Sequence, residues 1–213
     1  MSNDLNASGA SEPGLGIPAA SLESVVTRLD KHLVHKSYDE NVLVSRIDAV
    51  QPSPDAFARS EKDVARDTAD HFRAVLCIDR DHPLFFDRDR GHVHAICFME
   101  AAQQTAIAVA HLFYGVPLDV EFVATDCSAK FLSVANIDEP LIADQTVSAH
   151  VYRRGRLVRM HTTLVIHQAG LERVRLAGTM VLLKREQLRH LEERASTTYP
   201  FNAVTIGPSG SRS

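Results

Sequence analysis

The sequence predicts an α+β domain in which an antiparallel sheet wraps around one long central helix. Three observations predict it. Residues 93–114 are apolar nearly all round, which suits a helix buried on every side. After them come runs of alternating apolar and polar residues separated by glycine-centred turns, the pattern of an antiparallel meander. Before them lie two further β-rich runs.

Each element has its own local reason. Residues 1–20 are rich in Ser, Gly, Ala and Pro, lack periodicity and read as a disordered tail. "SLESVVTRLDKHL" puts Leu22, Val25, Val26, Leu29 and Leu33 on one helical face, with Ser21 as N-cap. "ENVLVSRIDAV" is β-rich, "DAFARSEKDVARDTAD" is a polar connection with room for a helical turn, and "FRAVLCID" reads as a short buried strand. The helix over 93–114 ends at Gly115 and Pro117, the usual order of stop signals. "VEFVATDCSAKFLSV" and "TVSAHVYRR" are strands, the second with Val147, Ala149 and Val151 facing inward against Ser148, His150 and Tyr152. Turns at Gly155 and at Ala169-Gly170 frame "RLVRMHTTLVIHQ" and "LERVRLAGTMVLLKRE". A short polar helix over 185–195 closes a single domain spanning 21–195. From Ser196 the chain again reads as a flexible tail, in which Phe201 and Ile206 are local docking points. One helix wrapped by such a sheet is the hotdog arrangement. Its open edge and uncovered helix face predict a side-by-side homodimer.

Composition bounds the function. A hydrophobic content of 45%, charged content of 23% and net charge of -4 fit a globular protein with no global pull toward nucleic acid or an anionic membrane. The three cysteines, Cys77, Cys97 and Cys127, are scattered and odd in number, so they read as free thiols of a reducing compartment. The N-terminus lacks a signal-peptide pattern. Glu100, Gln103, Gln104 and His111 interrupt the one long apolar run, which argues against a membrane span and leaves the cytoplasm as the expected location. Neither a Gly-rich phosphate loop nor a His/Cys metal cluster is present in the sequence, so no metal or redox cofactor is expected.

Four pieces in order carry a resemblance: "VHKSYDENVLVS" at 34–45, "HPLFFD" at 82–87, "GHVHAICFMEAAQQTA" at 91–106, and "GVPLDVEF" at 115–122. Together they resemble the AfsA-type family, the A-factor biosynthesis hotdog proteins of γ-butyrolactone and related signalling-molecule pathways, across about 33–185. Gly91 stands where the family prefers Asp, His94-Ala95 replaces Pro-Gly, and Gln103 replaces an arginine. Many members carry two hotdog repeats where this chain has one, which implies that a second copy or a partner supplies the other half. The resemblance implies acyl transfer: a β-ketoacyl group passes from acyl carrier protein or coenzyme A to the hydroxyl of dihydroxyacetone phosphate or a similar three-carbon acceptor. The alternatives are a hotdog thioesterase or dehydratase, and a non-catalytic shell that binds an acyl ligand.

The residues supply candidate roles. Glu100, a carboxylate inside an apolar helix, reads either as a general base whose pKa burial raises or as a structural carboxylate bonded to a loop amide. Gln104, four residues on, either positions the thioester and Glu100 or forms a satisfied polar pair. His92, at the turn into the helix, reads as an assisting base or a helix-start residue bonded to backbone. The amides of His94, Ala95 and Ile96 open the helix at its positive end, where an oxyanion is stabilised. Phe85 and Phe86 read as core that also floors an acyl tunnel, and His82 as a loop-orienting residue pointing toward it. Lys36, Arg88 and Arg90 are the candidate phosphate ligands, against solvated surface charge. Cys97 reads as a buried free thiol and His111 as a core or interface histidine.

Overall fold

A computed structural model of the chain describes residues 28–50, 64–66, 68–83, 85 and 91–198. Its centre is the helix α1 (Ala95–Tyr114), which starts after His94 and ends at Gly115 in the left-handed conformation (φ 60°). Around it, among the described residues, run seven strands: β1 (Val44–Val50), β2 (Val64–Arg66), β3 (Asp70–Leu76), β4 (Val120–Phe131), β5 (Leu141–Arg153), β6 (Arg156–Gln168) and β7 (Leu171–Lys184). The sheet order is β1-β3-β5-β6-β7-β4, with β2 pairing alongside on β5, and each pairing is antiparallel. The helix contacts β1, β3, β4, β6 and β7. This is the predicted α+β hotdog fold, an antiparallel sheet wrapped around one long helix. By length and apolar composition α1 would also suit a membrane span, but here it lies inside the sheet as the core helix.

The core follows α1 in two blocks. Around its first half, Cys97, Phe98 and Ala101 pack on Leu43, Val44, Leu76, Leu164, Ile166 and Leu176. Around its second half, Ala106, Val109, Ala110 and Tyr114 pack on Phe72, Val147, Tyr152, Met160 and Leu182. The two hairpins β5–β6 and β6–β7 turn through Arg154-Gly155 and Ala169-Gly170, all at positive φ. That is the two-residue turn whose twist matches paired strands. Gly178 of β7 answers a different need. A Cβ there would meet the Asp126 carbonyl at 2.7 Å, so only glycine lets β7 approach β4 where β4 bulges between Ala124 and Asp126.

Four expectations are corrected. The helix expected over 21–33 lies mostly outside the described residues, and its described end is not α-helical. Leu29 N–H donates to the Val44 carbonyl (2.9 Å), as a continuing helix would not allow, and a 3₁₀ turn follows at Lys31–Val34, its start capped by the Asp30 carboxylate. The polar connection expected over 55–70 carries the strand β2 at Val64–Arg66, while the stretch 55–63, with room for the helical turn, lies outside the described residues. In β5 the inward set is Leu141, Ala143, Gln145 and Val147, then His150 and Tyr152 instead of Ala149 and Val151. Ala149 sits at φ 50° in a bulge, with Ser148 opposite His161 and Val151 opposite Arg159, and the extra residue reverses the alternation. Finally the closing helix, α2, runs Arg185–Thr198, past the expected end at 195. The tail expected over 1–20 lies outside the described residues, as does 199–213.

Candidate functional site

The first half of α1 carries a chain of polar contacts that runs from helix to loop. Gln104 is wholly buried. Its carbonyl accepts from Leu43 N–H (2.8 Å), and its amide donates to the Asn41 carbonyl (2.8 Å) and to Glu100 Oε1 (2.8 Å). Lys36 Nζ lies 2.6 Å from the same Glu100 oxygen. His82 Nε2 bonds Asn41 Oδ1 at 3.0 Å. The segment 36–43 is thereby clamped onto the helix, and Glu100 is held by two donors on Oε1, which leaves Oε2 for another partner. The expected lone buried carboxylate is instead an ion pair with side chains 22% and 26% exposed.

Why these residues meet is local chemistry. The 3₁₀ turn at Lys31–Val34 ends at His35 in the left-handed region (φ 55°), a conformation in which histidine is enriched among non-glycine residues. That reversal aims Lys36 back at α1. Glu100 and Gln104, one helical turn apart, then share one face. His35 is itself anchored. His111 Nδ1 donates to the Val116 carbonyl (2.8 Å), so its Nε2 is the acceptor for His35 Nε2 at 3.0 Å. Burial lowers the pKa of both histidines; their mutual repulsion adds to the lowering at His35.

Glu100 lines a cavity of about 260 Å³ between α1 and the β4–β6–β7 side of the sheet. Ile96, Met99 and Gln103 of α1, Phe122 and Ala124 of β4, and Leu164, Leu176 and Met180 across the sheet form its walls, apolar but for Gln103; Asp126, Cys127 and Thr179 add polar groups at one side. Glu100, with one oxygen fixed, thus stands in the largely apolar part of the chamber, about 7 Å of helix rise beyond the first helical amides.

The other expected residues divide between helix start, loop and core. His94 is the N-cap residue of α1, and Ala95 and Ile96 are its first helical residues, both exposed, so their amides stand at the helix start. His92 bridges to Asn136 of the β4–β5 connection and its ring stacks on His94 at 5.7 Å. Phe85 rests on His82 (centroids 4.5 Å apart) and packs on the first core block; it does not line the chamber itself. His82 is buried and orients the Asn41 loop. Lys36, expected at a phosphate, is engaged by Glu100. Phe86, Arg88 and Arg90 lie outside the described residues. Cys97 is buried, and burial pushes its thiol up to about 11, as suits an inert side chain. His111 is a core histidine rather than a neighbour of Glu100. Sequence reasoning did not find Asn41, His35 or the β4–β7 wall, since nothing local in the sequence marks contacts between segments so far apart.

The far end of α1 holds a second polar cluster. Tyr114 OH donates to Asp70 Oδ2 (2.6 Å) and stands 2.9 Å from His150 Nε2, which is 3.3 Å from the same carboxylate. Asp70 and His150 are 6% and 2% exposed.

A family model, AfsA, the A-factor biosynthesis hotdog domain, matches residues 18–183. No curated protein sequence matches the chain. Among solved structures, similarity extends to a hot-dog-like protein from Thermanaerovibrio acidaminovorans (16% identity, 61% of this chain and 91% of that one, TM-score 0.45). The putative thioesterase yhdA from Lactococcus lactis is 11% identical over 65% of this chain and 90% of its own, TM-score 0.44. A hypothetical thioesterase from Streptococcus pneumoniae, solved with coenzyme A, is 16% identical over 61% and 92%, TM-score 0.36. The strand order and the family match define the fold independently of these distant likenesses.

Proposed function

The chain belongs to the A-factor biosynthesis hotdog domain family, and from that premise we propose that it is an acyltransferase that moves a β-ketoacyl group from a thioester to the hydroxyl of dihydroxyacetone phosphate or a similar three-carbon acceptor. The observation that carries the reading is the oriented carboxylate: Glu100, held through Oε1 by Lys36 and Gln104, in the wall of an apolar chamber near the start of α1. Glu100 Oε2 takes the proton of the acceptor hydroxyl. The hydroxyl oxygen bonds to the thioester carbonyl carbon, and the carbonyl becomes an oxyanion facing the amides of Ala95 and Ile96. The oxyanion collapses, the C–S bond breaks, and the departing thiolate takes from Glu100 the proton that the hydroxyl gave up. Lys36 and Gln104 fix the carboxylate through Oε1 and leave Oε2 turned to the proton it accepts. His92, on the turn before the helix, assists at the acceptor side.

The active unit in this reading is a homodimer. Ile96 (54% exposed) and Met99 (41%) open the chamber on the flank of α1. The edge strand β4 is exposed from Ala124 to Phe131, and Phe131, Leu132 and Val134 add uncovered apolar surface. A second copy set against this edge closes both.

The test is direct. The protein is incubated with β-ketoacyl thioesters, with and without dihydroxyacetone phosphate, and the products are weighed by mass spectrometry. An acylated phosphate ester formed only with the acceptor is expected. Free β-keto acid regardless of acceptor would replace this reading with a thioesterase, and unchanged thioester would leave only a binding shell.

A further inference from the structure

Beyond the Glu100 chamber lies a second cleft, of about 480 Å³, at the carboxyl end of α1. Tyr114, Val116, Leu157 and Leu182 floor it, and Arg153, Arg156 and Lys184 stand around it. These three cations form no ion pair among the described residues, although the chain is acidic overall and Lys36, Arg73, Arg80 and Arg185 each hold a carboxylate within 4 Å. Asp119 is the one carboxylate in the lining, so the cleft is net cationic. The carboxyl end of the helix dipole opposes an anion here, which makes the arginines and the lysine the groups that set its preference.

The cleft and the chamber lie end to end along one strand pair. Ala124 and Met180, opposite each other, line the chamber; Val120 and Lys184, also opposite, line the cleft; the Phe122–Leu182 pair stands at the junction. From Glu100 to Tyr114 the helix rises about 20 Å. That is the reach of an extended phosphopantetheine arm, with its thioester at one end and its phosphate at the other. Dihydroxyacetone phosphate is too short to bridge the two. Lys36, engaged by Glu100, is not available for the donor phosphate.

We propose that the Arg153–Arg156–Lys184 cleft binds the phosphate of the phosphopantetheine arm that delivers the acyl group, an assignment that rests on the acyl-thioester reading of the Glu100 chamber. Arginine is suited to the task because its planar fork matches phosphate oxygens in pairs.

Binding is measured by calorimetry on the full chain with unacylated ligands, so that no turnover is required. Phosphopantetheine is expected to bind at least roughly tenfold more tightly than pantetheine, which lacks the phosphate. Arg153→Gln and Arg156→Gln are each expected to weaken phosphopantetheine roughly tenfold and to leave pantetheine unchanged. Lys184→Gln, on an exposed strand end, carries the same test if either arginine variant fails to fold. Equal binding of the two ligands, or variants that bind phosphopantetheine normally, would overturn the assignment. Coenzyme A and a phosphopantetheinylated carrier protein are compared on the same variants: a loss confined to one identifies the donor, and a loss with neither overturns the proposal. Phosphate-dependent binding without acyl transfer would sink the reaction and leave the cleft standing.

Discussion

The two halves of α1 use the same ingredients to opposite ends. In the first half a carboxylate meets a lysine and an amide at a chamber wall, with the ion-paired side chains 22% and 26% exposed. In the second half a carboxylate meets a tyrosine and a histidine, the acid–histidine pair 6% and 2% exposed, and the helix there is buried on nearly all sides. A carboxylate with access to a chamber can exchange its partner for a substrate. One sealed in the core can only hold the fold, because a buried charge left unpaired is costly. Position along one helix, rather than residue type, separates chemistry from architecture.

Substitutions can break that comparison. The largest effect is expected from Glu100→Gln, which preserves shape but removes the basic oxygen; the rate of acyl transfer should fall about 10²–10⁴-fold while the melting temperature holds. Full activity in this variant would make Glu100 structural, like Asp70. Gln104→Ala comes next. It leaves the Leu43 amide and the Asn41 carbonyl unpaired in buried surroundings, at about 1–3 kcal/mol each, and urea denaturation should show the loss. Tyr114→Phe should cost about 1–3 kcal/mol in the same measurement, through the hydrogen bonds to Asp70 and His150 that it removes. An unchanged stability there would erase the distinction between the halves.

Two smaller effects sharpen it. The His35–His111 contact links the halves, and both pKa values are lowered, so the unfolded chain binds more protons than the folded one around and below about 6.5. Stability from this pair is therefore present above that pH and lost as pH falls through the folded values. Glu121, facing His35, works against the lowering; Lys36 and Arg185 add to it. Melting curves from pH 8 to 5 should show the decline, and His111→Gln should flatten it. Gln145, 1% exposed, has neither amide atom bonded among the described residues. Gln145→Leu should accordingly raise stability by about 1 kcal/mol; a fall would reveal a hidden partner.

Long, well-punctuated elements were legible from residues alone. The bounds of β6 and the Gly115 stop of α1 are examples, because periodicity and turn chemistry act locally. Glu100 and Gln104 stood out as polar residues in an apolar helix. Their partners did not, since Lys36, Asn41 and Leu43 reach them only through the tertiary fold. The segment 28–34 misled because Leu29 and Leu33 keep helical spacing while the backbone turns to bond β1.

Ala149 shows how little it takes to recode a strand. One residue in a left-handed conformation works as a phase slip. Every later position of β5 is read in the other frame, so a histidine and a tyrosine go inside and a valine moves toward solvent. The Tyr114 cluster exists only downstream of that slip, because His150 reaches Asp70 in the shifted frame alone. Deleting Ala149 would be more damaging than changing any single side chain around it. A lineage that lost this one residue would have to reinvent the inner face of the strand from that point to its end.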